Sequence, residues 1–96
     1  MKYVRNKIWM TIFKFSPPRF PYGPHGTQPV ILKVKYHNSK YLLLEVDDHI
    51  MSETVYAIYD IKRQRILPPG TIWPPYLFTD LKEFIDGFIS AYEEKL

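Results

Sequence analysis

The chain contains no cysteine. This absence excludes disulfide bonds, thiolate nucleophiles, and zinc or iron–sulfur sites that are built on cysteine ligands. A chain of 96 residues without disulfides must obtain its stability from a hydrophobic core, and this length suits one domain over residues 1–96. The absence of cysteine fits a protein of a reducing compartment and is also compatible with a stable secreted protein; we expect a cytoplasmic protein.

Long apolar runs and catalytic motifs are also missing. The run 8–13 is interrupted by Thr11 and stopped by Lys14, whereas a membrane-spanning helix needs about 20 apolar residues. We therefore expect no membrane partner. No glycine-rich phosphate loop and no nucleophile elbow occurs, and the three histidines show no metal-ligand spacing. We predict no catalytic residue, no metal and no cofactor, which favours a binding protein over an enzyme.

What the chain has is aromatic residues and alternating apolar patterns. It holds eight Tyr, six Phe and two Trp, each of which buries roughly 150–250 Å² when packed in a core. The patterns predict an α+β fold, in which an antiparallel sheet of four to five strands, as a meander or a partly curled barrel, is covered by one C-terminal amphipathic helix. The predicted strands are residues 2–15, 30–36, 41–46, 54–61 and 65–67, and the helix has apolar residues at 81, 84, 85, 88, 89 and 92.

Two details of these strands matter below. In strand 30–36 the alternation predicts Val30 and Leu32 on the inner face, and Lys33 and Lys35 on the outer face. The run Leu42–Leu44 is apolar on both faces, which is typical of a central strand that is covered twice. Residues 16–29 and 68–76 are proline-rich loops, whose aromatic residues we expect to pack onto the domain.

The charges divide the chain into two unequal parts. Residues 1–40 hold eight Lys and Arg and no Asp or Glu, whereas residues 41–96 hold five Lys and Arg and ten Asp and Glu. The two parts therefore carry charges of +8 and −5. Such asymmetry points to a polyanionic or acidic partner.

The N-terminal strands offer a face that is both basic and aromatic. Lysine and arginine neutralise phosphates, and exposed aromatic rings stack on bases. We therefore predict a small non-enzymatic binding protein with DNA or RNA as its candidate partner. The predicted nucleic-acid-binding residues are Arg5, Lys7, Trp9, Phe13, Lys33 and Lys35.

The sequence also allows a different function. One helix covers only one face of a sheet, so the other face is left for a partner. The other face would expose Trp9, Phe13, Ile31 and either Tyr41 or Leu43, a larger apolar patch than monomers usually show. The proline-rich loops, curling of the sheet, or a second copy in a homodimer would cover it. The alternative function is therefore a protein–protein interaction or inhibitor module, of a viral or mobile-element type, that uses this face, the proline-rich loops or the acidic outer face of the helix.

A third hypothesis, metal-dependent nuclease activity, rests on one short pattern. Asp60-Ile61-Lys62 follows an acidic segment that contains Asp47, Asp48, His49 and Glu53. Two carboxylates and a lysine are the groups that hold Mg²⁺ and a phosphate. The pattern is common by chance, and in a strand–turn–strand sequence Asp60 is equally expected to cap the turn.

Overall fold

Antiparallel strands and two helices form the part of the chain that the computed structural model describes, which is residues 2–3, 7–21, 29–47, 55–73 and 81–96. The elements in chain order are β1 (Lys2–Tyr3), α1 (Lys7–Phe15), β2 (Val30–His37), β3 (Tyr41–Asp47), β4 (Val55–Asp60), β5 (Arg65–Ile66) and α2 (Leu81–Glu94). The strands pair in sequence order, β1-β2-β3-β4-β5. The α+β class, the antiparallel meander and the C-terminal helix are confirmed, and the sheet is open, not a barrel.

The centre of the sheet is the β2–β3–β4 meander. Its first turn is closed by Asn38, whose Oδ1 accepts hydrogen bonds from the backbone N–H of Lys40 at 2.8 Å and of Tyr41 at 2.7 Å. Leu42, Leu43 and Leu44 are fully buried. Leu42 and Leu44 pack on one face of the sheet and Leu43 on the other, so the prediction of a central strand that is covered twice is confirmed.

Helix α2 covers the face of the sheet that contains Leu43. Its buried residues Ile85, Ile89 and Tyr92 lie three or four positions apart and pack in one cluster with Tyr41, Leu43 and Ile58. This is the amphipathic stripe that the sequence predicts.

The N-terminal segment differs from its prediction. Residues 7–15 form helix α1, and only Lys2 and Tyr3 form a strand, so a single strand over residues 2–15 is wrong. Five of the six residues from 8 to 13 are apolar, and such a run fits the period of a strand and the period of a helix equally well. The helix buries Phe13 and half-buries Trp9 and Met10, and it leaves Ile8 and Ile12 exposed.

Helix α1 covers the second face of the sheet, so that face is not bare. Trp9, Phe13 and Tyr59 form an aromatic cluster, with ring centroids 5.2–6.2 Å apart and two of the three pairs edge-to-face. The loop residue Phe20 is buried in the same core, as expected of the first proline-rich loop. A second copy is therefore not needed to cover this face.

Strand β2 does not alternate as predicted. Its pairing with β3 shifts register between Ile31 and Lys33 and again between Val34 and Tyr36. Each shift inserts an extra residue, which breaks the alternation between the residues before it and those after it. Because the first shift lies between them, Ile31 and Val34 both pack toward α1 although they are three residues apart, whereas Val30 and Leu32, predicted to be inward, are exposed.

Candidate functional site

The residues predicted to bind nucleic acid do not lie on one strand face. Lys7, Trp9 and Phe13 are on α1, and Arg5 lies outside the described residues. Phe13 is buried and Trp9 half-buried in the core beneath α1, so the ring of Phe13 is not available to stack on a base. Only Lys7, of these three, is exposed.

Lys33 and Lys35 lie on the opposite side of the sheet from α1. Lys33 Nζ is 3.2 Å from Glu45 Oε2, and Lys35 Nζ donates a hydrogen bond to Tyr56 Oη at 3.1 Å. Tyr56 packs in the same cluster as α2, and Glu45 is its neighbour across β3 and β4. The hydrogen bond from Lys35 to Tyr56 raises the pKa of Lys35. Both predicted lysines are therefore engaged by groups on the α2 side of the sheet.

A different set of cations gathers where two turns meet. The N–H of Ile61, in the turn after β4, donates to the carbonyl of Lys40, in the turn before β3, at 3.0 Å. Gln64 closes the turn between β4 and β5 with a left-handed φ of 53°. We call this set the cationic end; its members are exposed, and they are Arg19, Lys40, Lys62, Arg63 and Arg65.

The cationic end is built on a buried carboxylate. Asp60 is only 2% exposed. Its Oδ2 accepts hydrogen bonds from Tyr92 Oη at 2.7 Å and from Arg63 Nη1 at 3.1 Å, and its Oδ1 accepts one from the N–H of Arg63 at 3.2 Å. Burial raises the pKa of Asp60, but the hydrogen bonds from Tyr92 and Arg63 outweigh burial and leave the pKa below its usual value. Asp60 also caps the turn, as the sequence suggests.

Tyr92 extends this arrangement to a second arginine. Arg65 Nε donates to Tyr92 Oη at 2.9 Å, and the guanidinium of Arg65 lies over the Tyr92 ring, 5.2 Å from its centroid. The hydroxyl of Tyr92 thus accepts from Arg65 and donates to Asp60. We call Asp60, Tyr92, Arg63 and Arg65 the arginine clamp, because one buried pair orients two exposed guanidinium groups.

Two clefts open at the cationic end. The larger has a volume of about 400 Å³, and the smaller about 190 Å³. Arg65 lines the larger cleft and Arg63 the smaller one. The remaining lining residues of the larger cleft are Arg19, Phe20, Pro21, Ile66 and Pro68. Those of the smaller cleft are Lys40, Tyr41, Asp60, Lys62, Glu93 and Leu96.

The two clefts differ in their balance of charge. Glu93 brings a carboxylate to the smaller cleft and, with burial as the larger cause, raises the pKa of Tyr41 to about 12. Tyr41 is therefore a neutral hydroxyl at any physiological pH. The larger cleft has two arginines and no carboxylate among its lining residues. An anion of phosphate size is therefore better matched to the larger cleft.

The structure gives Asp60 a role other than metal binding. Its oxygens are already taken by Tyr92 and Arg63, and Mg²⁺ would have to displace these donors. Asp48, His49 and Glu53, the rest of the predicted acidic segment apart from Asp47, lie outside the described residues. Within the described part of the chain, no three His, Asp or Glu side chains come together as metal ligands, and no helix is long and apolar enough to cross a membrane.

Sequence reasoning missed the arginine clamp because its contacts are long-range. Arg65 and Asp60 precede Tyr92 by 27 and 32 residues. One local signal was present: Asp60 ends β4, Arg63 lies in the turn that follows and Arg65 begins β5, so the sequence places all three at one end of a hairpin.

Comparison of this chain with protein-family models, with curated proteins and with solved structures finds no significant match.

Proposed function

We propose that this protein binds nucleic acid through the phosphate backbone, and that the cationic end makes the contact. The observation that carries the proposal is the arginine clamp beside the larger cleft. Five exposed cations lie at this end, and a buried carboxylate and a tyrosine hydroxyl orient two of them. Phosphate contacts of this kind supply most of the affinity of proteins that bind nucleic acid without sequence preference.

Orientation of the arginines before binding supports this role. A free arginine side chain loses up to about 2 kcal/mol of rotamer entropy when it is fixed. Arg65 is already held by its hydrogen bond to Tyr92 and by its position over the ring. A guanidinium has five N–H donors, and the clamp uses one donor of Arg65. The remaining donors match the bidentate geometry of a phosphate.

The aromatic residues of this end favour contacts to the backbone over contacts to bases. Phe20, Tyr41 and Tyr92 are all buried, so their faces are not available for base stacking. The proposal therefore predicts weak sequence preference and a strong dependence on salt, since each phosphate contact releases counterions. Single and double strands should both bind.

Fluorescence anisotropy with labelled single-stranded and duplex oligonucleotides, over a series of salt concentrations, tests the proposal. The test variant is Lys40→Gln with Lys62→Gln, which removes two exposed cations and leaves the arginine clamp intact. The control is Lys7→Gln with Lys33→Gln, which removes the same charge from the predicted strand face. We expect the test variant to weaken binding about 10-fold at low salt and to reduce the salt slope by about 1–2.

The outcomes separate the two surfaces. A loss confined to the control variant would place the contact on the residues predicted from the sequence and overturn the assignment to the cationic end. Equal losses in both variants would indicate a diffuse charge effect with no defined site. Absence of binding by the wild-type protein at low salt would end the proposal. Arg19→Gln, in the larger cleft and outside the clamp, should weaken binding by itself.

A further inference from the structure

The larger cleft at the cationic end combines an apolar surface with positive charge. Phe20 and Ile66 are buried, so they form the base of the cleft. Pro21 and Pro68 are exposed and place two apolar rings at its rim. The two arginines described above complete the lining and carry its only charges. A ligand that fills the whole cleft therefore needs an anionic group beside an apolar body.

Packing of the core brings the two arginines of this cleft together. Arg19 directly precedes Phe20 in the segment after α1, and Arg65 directly precedes Ile66 in β5. Phe20 and Ile66 are 2% and 3% exposed and belong to one core cluster. The backbone of each arginine is therefore fixed by a buried neighbour, and the hydrogen bond to Tyr92 also holds the side chain of Arg65.

The rim that Pro68 forms is held by backbone hydrogen bonds. The N–H of Gly70 donates to the carbonyl of Leu67 at 3.0 Å, and the N–H of Leu67 donates to the carbonyl of Ile58 in β4 at 2.9 Å. These bonds close the turn around Pro68 and tie it to the sheet. Gly70 has a φ of 107°, which a residue with a side chain rarely adopts. The cleft is thus formed before a ligand binds, as small-molecule sites usually are.

We propose, on the basis of the proposed function, that the larger cleft holds the phosphorylated end of a nucleic acid strand. A terminal phosphate monoester carries a charge of about −1.5 to −2 near pH 7 and three acceptor oxygens, which the guanidinium groups of Arg19 and Arg65 match. A phosphodiester within the strand carries a single charge, so it neutralises only one of the two arginines.

The size of the cleft fits one unit at the end of a strand. Its volume of about 400 Å³ lies near the lower end of the range of roughly 300–1,000 Å³ for small-molecule sites. An internal phosphate has chain on both sides that must leave the cleft, whereas a terminal phosphate has chain on one side only. The sugar and base of the last unit pack against Pro21 and Pro68, whose rings carry no hydrogen-bond donor or acceptor to distinguish bases.

The neighbouring cations favour a strand over a free nucleotide as the occupant. Lys40, Lys62 and Arg63 line the smaller cleft at the same cationic end, and a single nucleotide in the larger cleft leaves them without a phosphate. A strand whose end lies in the larger cleft places its following phosphates near these exposed cations.

Competition between oligonucleotides, measured at low salt by fluorescence anisotropy of an internally labelled strand, tests the proposal. The unlabelled competitors share one sequence and end in a 5′-phosphate, in a 3′-phosphate or in hydroxyl groups only. We expect one phosphorylated end to bind about 10-fold more tightly than the hydroxyl end, because hydrogen bonds to a charged group are the stronger ones. Equal affinity of the three strands would overturn this proposal and leave the proposed function standing, whereas no binding by any strand would end both.

The test variant is Arg19→Gln, and the matched control is Lys62→Gln in the smaller cleft. Each removes one exposed cation of the cationic end, and circular dichroism of both should match that of the wild type. Arg19→Gln should bind the three strands alike, whereas Lys62→Gln should weaken all three and keep the preference for the phosphorylated end. A preference that survives Arg19→Gln, or one that Lys62→Gln removes as well, would overturn the proposal.

Isothermal titration calorimetry with a nucleoside monophosphate and with inorganic phosphate tests the two parts of the cleft. The nucleotide should bind more tightly than inorganic phosphate, because only the nucleotide contacts Pro21 and Pro68. It should bind less tightly than the phosphorylated strand, because it lacks the following phosphates. Equal binding of nucleotide and inorganic phosphate would overturn the proposal, and a nucleotide that binds as tightly as the strand would make the free nucleotide the occupant instead.

Discussion

Two pairs of cations, each separated by one residue in the sequence, differ in what the fold does with them. Lys33 and Lys35 lie along β2, and their ammonium groups are engaged by Glu45 of β3 and by Tyr56 of β4, the next strand but one. Arg63 lies in the turn between β4 and β5 and Arg65 begins β5, and they are held by Asp60 and Tyr92.

The difference lies in the donors that remain after these contacts. A lysine offers three hydrogens on one atom, whereas an arginine offers five donors spread over a planar fork. The clamp therefore orients its arginines and still leaves part of each fork for a ligand. The number of hydrogen-bond donors that remain unused in a segment is therefore a better guide to anion binding than the number of its cations.

The largest expected effect tests whether residues 7–15 form a helix. The basic and aromatic strand face predicted from the sequence requires a strand there. Phe13→Ala should lower the free energy of unfolding by about 3–5 kcal/mol, because it leaves a cavity beside Trp9 and Tyr59. Phe15→Ala should change it by less than about 0.5 kcal/mol, because that ring is exposed. In a strand the two rings would share a face and have similar effects. Urea denaturation of the two variants decides between these structures.

The next effect tests the arginine clamp. Asp60→Ala should lower the free energy of unfolding by about 2–3 kcal/mol, because Tyr92 and Arg63 lose a buried charged acceptor. The matched control is Asp86→Ala on the exposed side of α2, with an expected change below about 0.5 kcal/mol. Asp60→Ala should also weaken oligonucleotide binding. Full binding by a destabilised Asp60→Ala protein would show that orientation of the arginines is not required.

A smaller effect should appear on acidification. The pKa of Asp60 is lowered in the folded state, so its ionisation stabilises the fold above the unfolded pKa of 3.8. This contribution is lost as the pH falls below about 4 through the folded pKa. Tyr92→Phe removes the shortest hydrogen bond to Asp60 and should cost about 1 kcal/mol at neutral pH. Denaturation of both proteins between pH 7 and pH 2 should show that the difference between them shrinks with acidification.

The smallest effect concerns Lys33. Its ion pair with Glu45 is largely exposed on the lysine side, and such pairs contribute about 0–1 kcal/mol. Lys33→Gln should therefore change the free energy of unfolding by less than about 1 kcal/mol and leave oligonucleotide binding nearly unchanged. Thermal denaturation and anisotropy check both expectations. A large loss of oligonucleotide binding in this variant would indicate that β2, and not the cationic end, is the contact surface.

The sequence predicts those elements whose pattern or flanking residues favour one structure. The stripe Ile85, Ile89 and Tyr92 fits the period of a helix, and the short run Leu42–Leu44 follows the turn residues 37–40, which favours a strand, so α2 and β3 were predicted correctly. The run 8–13 fits two periods, so α1 was missed. No glycine or proline marks the register shifts of β2 in the sequence. The exposure of Val30 and Leu32 is therefore the reverse of what the alternation predicts.

The candidate site was less predictable than the fold. The cations near the N-terminus are dense in the sequence, but the fold distributes them over two faces of the sheet and pairs Lys33 with a carboxylate. The clamp depends on Tyr92, whose pattern in the sequence marks it only as a core residue of α2. A hydroxyl at the end of a core ring cannot be assigned a partner until the helix is placed against the sheet.

The hydrogen bond between Tyr92 and Asp60 also sets an order of events during synthesis of the chain. Tyr92 is added 32 residues after Asp60, a delay of some seconds at roughly 5–20 residues per second. During that time the turn that carries Arg63 and Arg65 has left the peptidyl transferase centre, but the side chain that orients Arg65 does not yet exist. The cationic end is therefore completed only when α2 docks, so a nascent chain that is surrounded by ribosomal RNA lacks the oriented arginines of the finished protein.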